Sequence, residues 1–119
     1  MKGSPRRPEQ VAETIRQIIA AALLGELRDP RIGFVTVTDV QVTRDLSVAT
    51  VRVSVMGDEA GRADALTGLE SAAGFLRSRV SKALSTRIVP ELRFELDRGM
   101  EHAARIEKIL SELREEKGD

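Results

Sequence analysis

The sequence predicts an α+β domain in which a three-stranded sheet carries its helices on one face. Two observations point there. Apolar residues recur at helical spacing in three segments and alternate in three others, in the order helix, strand, strand, long or broken helix, strand, helix. Each alternating segment has one apolar side, so one sheet face is buried and the other meets water. The 119 residues suit one domain, 1–119, with short flexible termini at about 1–7 and 115–119. A composition 41% hydrophobic and 32% charged excludes disorder throughout.

The first helix is expected from about Glu9 to Leu27, where Val11, Ile15, Ile18, Ala22 and Leu23 form a stripe that Ile19 and Leu27 widen. Pro8 suits its first turn, where a missing N–H costs nothing. Asp29-Pro30-Arg31-Ile32-Gly33 ends it. The first strand covers about Phe34 to Thr43. Its apolar parity switches between Val35/Val37 and Val40/Val42, which one buried face forbids in a regular strand, so a β-bulge is predicted near Thr38–Asp39. Thr43-Arg44-Asp45-Leu46 reads as a hairpin connection. The second strand, about Ser47 to Val55, turns Val51, Val53 and Val55 inward.

Gly57-Asp58-Glu59-Ala60-Gly61 reads as a loop. A helical stretch from about Ala63 to Leu84 follows, with Leu66, Leu69, Ala73, Leu76, Val80 and Leu84 in steps of three and four. Gly74 lies inside it, where glycine costs about 1 kcal/mol relative to alanine. Ser85 to Pro90 connects to a third strand, about Glu91 to Leu96, with Leu92, Phe94 and Leu96 inward. The last helix, about Met100 to Arg114, is expected to turn Ala103, Ile106, Leu110 and Leu113 inward. The open sheet face would carry Thr36, Arg52, Ser54, Arg93 and Glu95.

Composition excludes several functions. The longest apolar run, Ile18 to Leu24, is too short to span a membrane, and no signal-peptide segment follows Lys2, so a cytoplasmic protein is expected. Without cysteine there is no disulfide framework and no thiolate metal site, and the one histidine, His102, cannot make a histidine cluster. No cofactor or metal is expected. Walker A, G-x-G-x-x-G and G-x-S-x-G sequences are absent, and loop solvation accounts for Asp58 and Glu59 better than a magnesium site. A hydrolase using His102 as its base therefore has little support, and a surface histidine is the better reading. Trp and Tyr are absent and Phe34, Phe75 and Phe94 are assigned to the core, which removes single-strand stacking platforms.

Lysines plus arginines number 19, as do aspartates plus glutamates, which argues against a general polyanion binder. The charge is unevenly placed. Residues 1–8 carry +3, residues 77–94 carry +4, and residues 58–76 and 95–119 carry −3 each. Such a dipolar chain can present one basic face to RNA; ordinary solvated helix faces account for the same scatter. Arg79 and Lys82 share a helix face, with Arg77 about 160° from Arg79. The open sheet face offers the alternative of a protein–protein interaction module.

Five pieces then stand in order: Asp29-Pro30-Arg31-Ile32-Gly33, Arg44-Asp45-Leu46, Ser71-Ala72-Ala73-Gly74-Phe75-Leu76-Arg77-Ser78-Arg79, Arg87-Ile88-Val89-Pro90-Glu91-Leu92-Arg93-Phe94, and Met100 to Leu110. Together the chain closely resembles the bacterial ribosome-binding factor A family from about Arg7 to Leu113. The resemblance implies a type II KH-like domain with Ala72-Ala73-Gly74 in place of the G-x-x-G loop, at a kink between two helices. There Gly74 can absorb a bend, and Ala72 lets another backbone come close. It implies a non-enzymatic, cytoplasmic, monomeric factor in late small-subunit maturation and cold adaptation. Such a factor binds the small ribosomal subunit and its rRNA, supports processing of the rRNA 5′ end, and is displaced with the help of an assembly GTPase. On this reading Arg6, Arg7, Arg44, Arg77, Arg79, Lys82 and Arg87 contact phosphate, while Ala72 and Gly74 supply shape. Many members carry arginine where this chain has Gln10, so that contact is not carried over. The functions of a long C-terminal extension are not carried over either.

Overall fold

The computed structural model describes residues 7–25, 27, 29–84 and 88–117, except the side chains of 100–105 and 116–117. Seven elements follow in the predicted order: α1 (Pro8–Gly25), β1 (Val35–Val42), β2 (Val48–Val55), α2 (Glu59–Ser71), α3 (Ala73–Leu84), β3 (Glu91–Leu96) and α4 (Gly99–Lys117). The sheet order is β1-β2-β3. β1 pairs with β2 antiparallel through the hairpin, and β3 pairs with β2 parallel, as its crossover through α2 and α3 permits. This is the α-β-β-α-α-β order of a KH-like domain, followed by one more helix.

The bulge falls where the parity switch demands it. Val37 pairs with Val53 and Asp39 with Arg52, leaving Thr38 as the extra residue. Its Oγ1 donates to Asp97 Oδ2 at 2.6 Å, tying the irregular strand to the end of β3. The bulge returns Val40 to the core side, where it packs with Ala49, Val51, Val53 and Val55 of β2 and Leu92 and Phe94 of β3. Val11, Ile15, Ile19 and Ala22 of α1 and Leu69, Leu76, Val80 and Leu84 of α2 and α3 close over them. The other sheet face carries Thr36, Arg52, Ser54, Arg93 and Glu95, all exposed or half-exposed.

Pro8 occupies the first position of α1, as expected. The Arg7 carbonyl accepts from the Gln10 and Val11 amides, and the Arg7 amide donates to Gln10 Oε1 at 3.3 Å. Gln10 thus supplies half of a capping box.

Four expectations need correction. The loop predicted to run from Gly57 to Gly61 ends earlier. Asp58 caps α2 by accepting from the Gly61 amide at 2.8 Å, so Glu59 opens the helix. The helical stretch from Glu59 to Leu84 breaks within Ala72-Ala73-Gly74, as the resemblance implies, but the break is at Ala72 and does not use the freedom of Gly74. Ala72 has φ −87° and ψ −1°, a conformation any residue can adopt, and a Cβ on Gly74 would meet nothing within 4 Å. Phe34 and Phe75 are not core residues: they are 83% and 42% exposed, and of the three phenylalanines only Phe94 is buried. In α4, Ile106, Leu110 and Leu113 do not turn inward but stay about half exposed, and the helix runs on to Lys117. Helical spacing showed that α4 has an apolar side. It did not show that the sheet has room for a fourth helix, and α1, α2 and α3 already fill the buried face.

Candidate nucleic-acid interface

Chain topology gathers several of the predicted cations at one end of the sheet. Pro8 and Glu9 of α1 line the same surface hollow as Val42 and Thr43, which places the start of α1 beside the β1–β2 hairpin. The Glu91 amide donates to Ser47 O at 2.9 Å, so β3 begins at the same hairpin. α3 finishes two residues after Lys82 and leads into β3. Arg7, Arg44 and Lys82 therefore belong to one end, and all three are exposed. Arg6 and Arg87 lie outside the described residues, as does the side chain of His102.

The hairpin that presents Arg44 is rigidly built. Asp45 Oδ1 accepts from the Ser47 amide at 3.1 Å, Ser47 Oγ at 2.7 Å and Thr43 Oγ1 at 2.8 Å. The hydroxyls of Ser47 and Thr43 hold the Asp45 carboxyl below its usual range, and the Ser47 amide adds to the effect. Leu46 takes φ +62°, and its amide donates to Thr43 O at 2.9 Å. A leucine in this region is uncommon, and here its side chain packs partly against the core.

Along α3 the cations have different tasks. Arg77 donates from Nη2 to Val89 O at 2.8 Å and from Nε to Pro90 O at 3.3 Å. It fastens α3 to the segment entering β3 while its side chain stays exposed. Gly74, Arg77, Ser78 and Ser81 line a groove with Val89. Arg79 leaves the other flank of the helix, with its Cζ 5.0 Å from the Phe75 ring centroid. Arg77 and Arg79 therefore flank the buried stripe on opposite sides, and the predicted contacts divide into a groove-side and an outer group.

Local packing holds the helix pair in place. A Cβ on Gly68 would lie 2.7 Å from Ile32 Cγ1 and 3.4 Å from Arg31 Cβ, so the turn after α1 packs directly on α2. That turn is clamped by Arg31, whose Nε donates to Asp29 at 3.0 Å and whose amide donates at 2.9 Å. These bonds lower the Asp29 pKa to about 2.

The open sheet face is polar and internally paired. Arg52 lies 3.4 Å from Asp39 and 3.6 Å from Glu95, and Arg93 lies 3.0 Å from Glu91. Among the described residues no group of three or more His, Asp or Glu could hold a metal ion, and no helix is long and apolar enough to cross a membrane.

A model of the ribosome-binding factor A family matches residues 7–110. A curated ribosome-binding factor A from Rhodopirellula baltica is 46% identical over 114 residues, covering 96% of this chain and 83% of its own. The crystal structure of ribosome-binding factor A from Thermus thermophilus is 26% identical, with a TM-score of 0.65 over 76% of this chain and 97% of its own. A Thermus thermophilus homology model fitted into the cryo-electron-microscopy map of a 30S–RbfA complex gives 0.59 at 29% identity, over 72% and 90%.

Proposed function

The chain belongs to the ribosome-binding factor A family, and on that premise we propose that it binds the small ribosomal subunit and its rRNA during late maturation. The observation that carries this is the family match over residues 7–110, joined by a structural relative described in a 30S complex. In this reading the factor is a non-catalytic cytoplasmic monomer of one domain. It supports processing of the rRNA 5′ end, acts in cold adaptation, and leaves the particle with the help of an assembly GTPase.

Arg7, Arg44 and Lys82 contact phosphates from one end of the sheet, and Arg6 and Arg87, outside the described residues, are further phosphate contacts in this reading. Arg77 and Arg79 do so from α3, and the groove lined by Gly74, Ser78 and Ser81 reads backbone shape. Structured RNA is well suited to such readout, since its phosphates and 2′-hydroxyls are accessible where its base edges are not. With a net charge of zero, binding in this reading rests on cations placed locally, at the hairpin end and on the two flanks of α3.

Co-sedimentation with isolated small subunits at low and moderate salt tests the proposal, with large subunits as control. Stoichiometric binding to small subunits alone, weakened by salt, is expected. No binding at low salt to mature or immature small subunits would refute it.

A further inference from the structure

An exposed aromatic ring lies in the most cationic stretch of the chain. Ser71 to Pro90 contains four cations, Arg77, Arg79, Lys82 and Arg87, and no acid. Phe75 lies two residues before the first of them and keeps 42% of its surface exposed. At about 100° per residue, Phe75, Arg79 and Lys82 fall within an arc of about 60° on α3, away from buried Leu76, Val80 and Leu84. Arg79 follows Phe75 by one turn and sets its guanidinium over the ring at 5.0 Å, within the range of a cation–π contact. The contact favours this placement of the ring on the surface.

Helix stability does not call for an aromatic here. Alanine, leucine or lysine has higher helix propensity at an exposed position. Nor does the core, which closes over Leu76, Val80 and Leu84 from the opposite side. A surface ring beside cations in an acid-free stretch is the combination by which proteins hold unpaired nucleotides: bases stack on the ring and phosphates meet the cations.

We infer that Phe75, steadied by Arg79, is a stacking platform for one unpaired base of the small-subunit rRNA, with Lys82 placed for a neighbouring phosphate. The inference rests on the rRNA-binding reading above and adds base contact to its readout of phosphate and shape.

The test compares the full chain with Phe75→Leu and Phe75→Tyr. Affinity is measured for purified small subunits and for protein-free small-subunit rRNA, across a salt series. Phe75→Leu keeps apolar bulk and loses the aromatic face, so affinity should fall about 5- to 100-fold on both targets. Phe75→Tyr should bind like the original chain. The slope of affinity against salt should stay unchanged in Phe75→Leu, because no cation is lost. Thermal melts of all three proteins should coincide.

Equal affinity of Phe75→Leu and the original chain would overturn the platform alone. A loss on the particle without a loss on protein-free rRNA would assign the ring to a protein neighbour and overturn it too. Failure of the original chain to bind small subunits would overturn both the platform and the reading beneath it.

Discussion

Two glycines of the helix pair, six residues apart, separate packing from shape. Gly68 lies in α2 against Ile32, where an added methyl group must displace a packed side chain 2.7 Å away. Gly68→Ala should therefore destabilise by about 1 kcal/mol or more, although alanine is the better helix former. Gly74 lies in the first turn of α3 with open space around it, so Gly74→Ala should stabilise by up to about 1 kcal/mol. If Gly74 is small to admit an RNA backbone, the same substitution should weaken small-subunit binding. Denaturant melts and sedimentation on both variants decide the matter: a Gly74→Ala protein that is more stable and binds unchanged would remove Gly74 from the interface. Arg77 shows the limit of reading single residues from a sequence. Its spacing on the helix was legible, but its use by the Val89 and Pro90 carbonyls was not, because those acceptors lie 12 and 13 residues further along the chain.

At the scale of elements, the bulge in β1 and the amphipathic side of α4 were both written in apolar spacing, with different outcomes. The parity switch between Val37 and Val40 could be resolved only by an inserted residue, since both halves of one strand must face one core. Nothing comparable constrained α4: an apolar stripe states a preference for burial and supplies no surface to bury against. Phe34 and Phe75 stand outside the core for the same reason: aromatic character states a preference for burial and supplies no surface to bury against. Packing thus predicts a contrast. Leu110→Ala and Leu113→Ala should change stability by less than about 0.5 kcal/mol, since both side chains are half exposed, whereas Ile15→Ala, fully buried, should cost about 2–5 kcal/mol. A large loss for either leucine would show that α4 packs on the chain.

The approach to α4 also carries a pH signature. Arg98 donates to Glu59 from Nη1 at 2.7 Å and from Nη2 at 3.0 Å, joining the first turn of α2 to the segment between β3 and α4. Hydrogen bonding from Arg98 is the main reason the Glu59 pKa falls from 4.5 to about 2, with Arg62 contributing less. A depressed carboxyl adds stability above its unfolded pKa and loses it as pH falls through the folded value. Glu59→Gln should therefore be less stable than the original chain at pH 7, with the gap closing between about pH 4.5 and 2. Thermal melts over that range would refute the link if the gap were constant.

For the whole molecule, the central question is whether a chain of zero net charge can bind a polyanion through one end. The molecule is extended, 68 × 34 × 19 Å, with a radius of gyration of 18.0 Å against about 13–14 Å for a compact chain of this length. At physiological salt, charges separated by more than about 8 Å are largely screened from one another. Acids far along such a body therefore do little to cancel cations at the hairpin end. Arg7, Arg44 and Lys82 should act as local counterion-releasing contacts, while Arg52 and Arg93, paired with Glu95, Asp39 and Glu91 on the open sheet face, should not. Each of Arg7→Gln, Arg44→Gln and Lys82→Gln should flatten the slope of log affinity against log salt by about 0.7–0.9. Arg52→Gln and Arg93→Gln should leave that slope unchanged. If all five variants flattened it equally, binding would follow overall charge rather than a surface. If only the sheet-face pair did, the RNA would lie on the open face and the hairpin end would be solvated in the complex. The assignment of the interface therefore turns on the difference between the two groups, measured on the same small subunits.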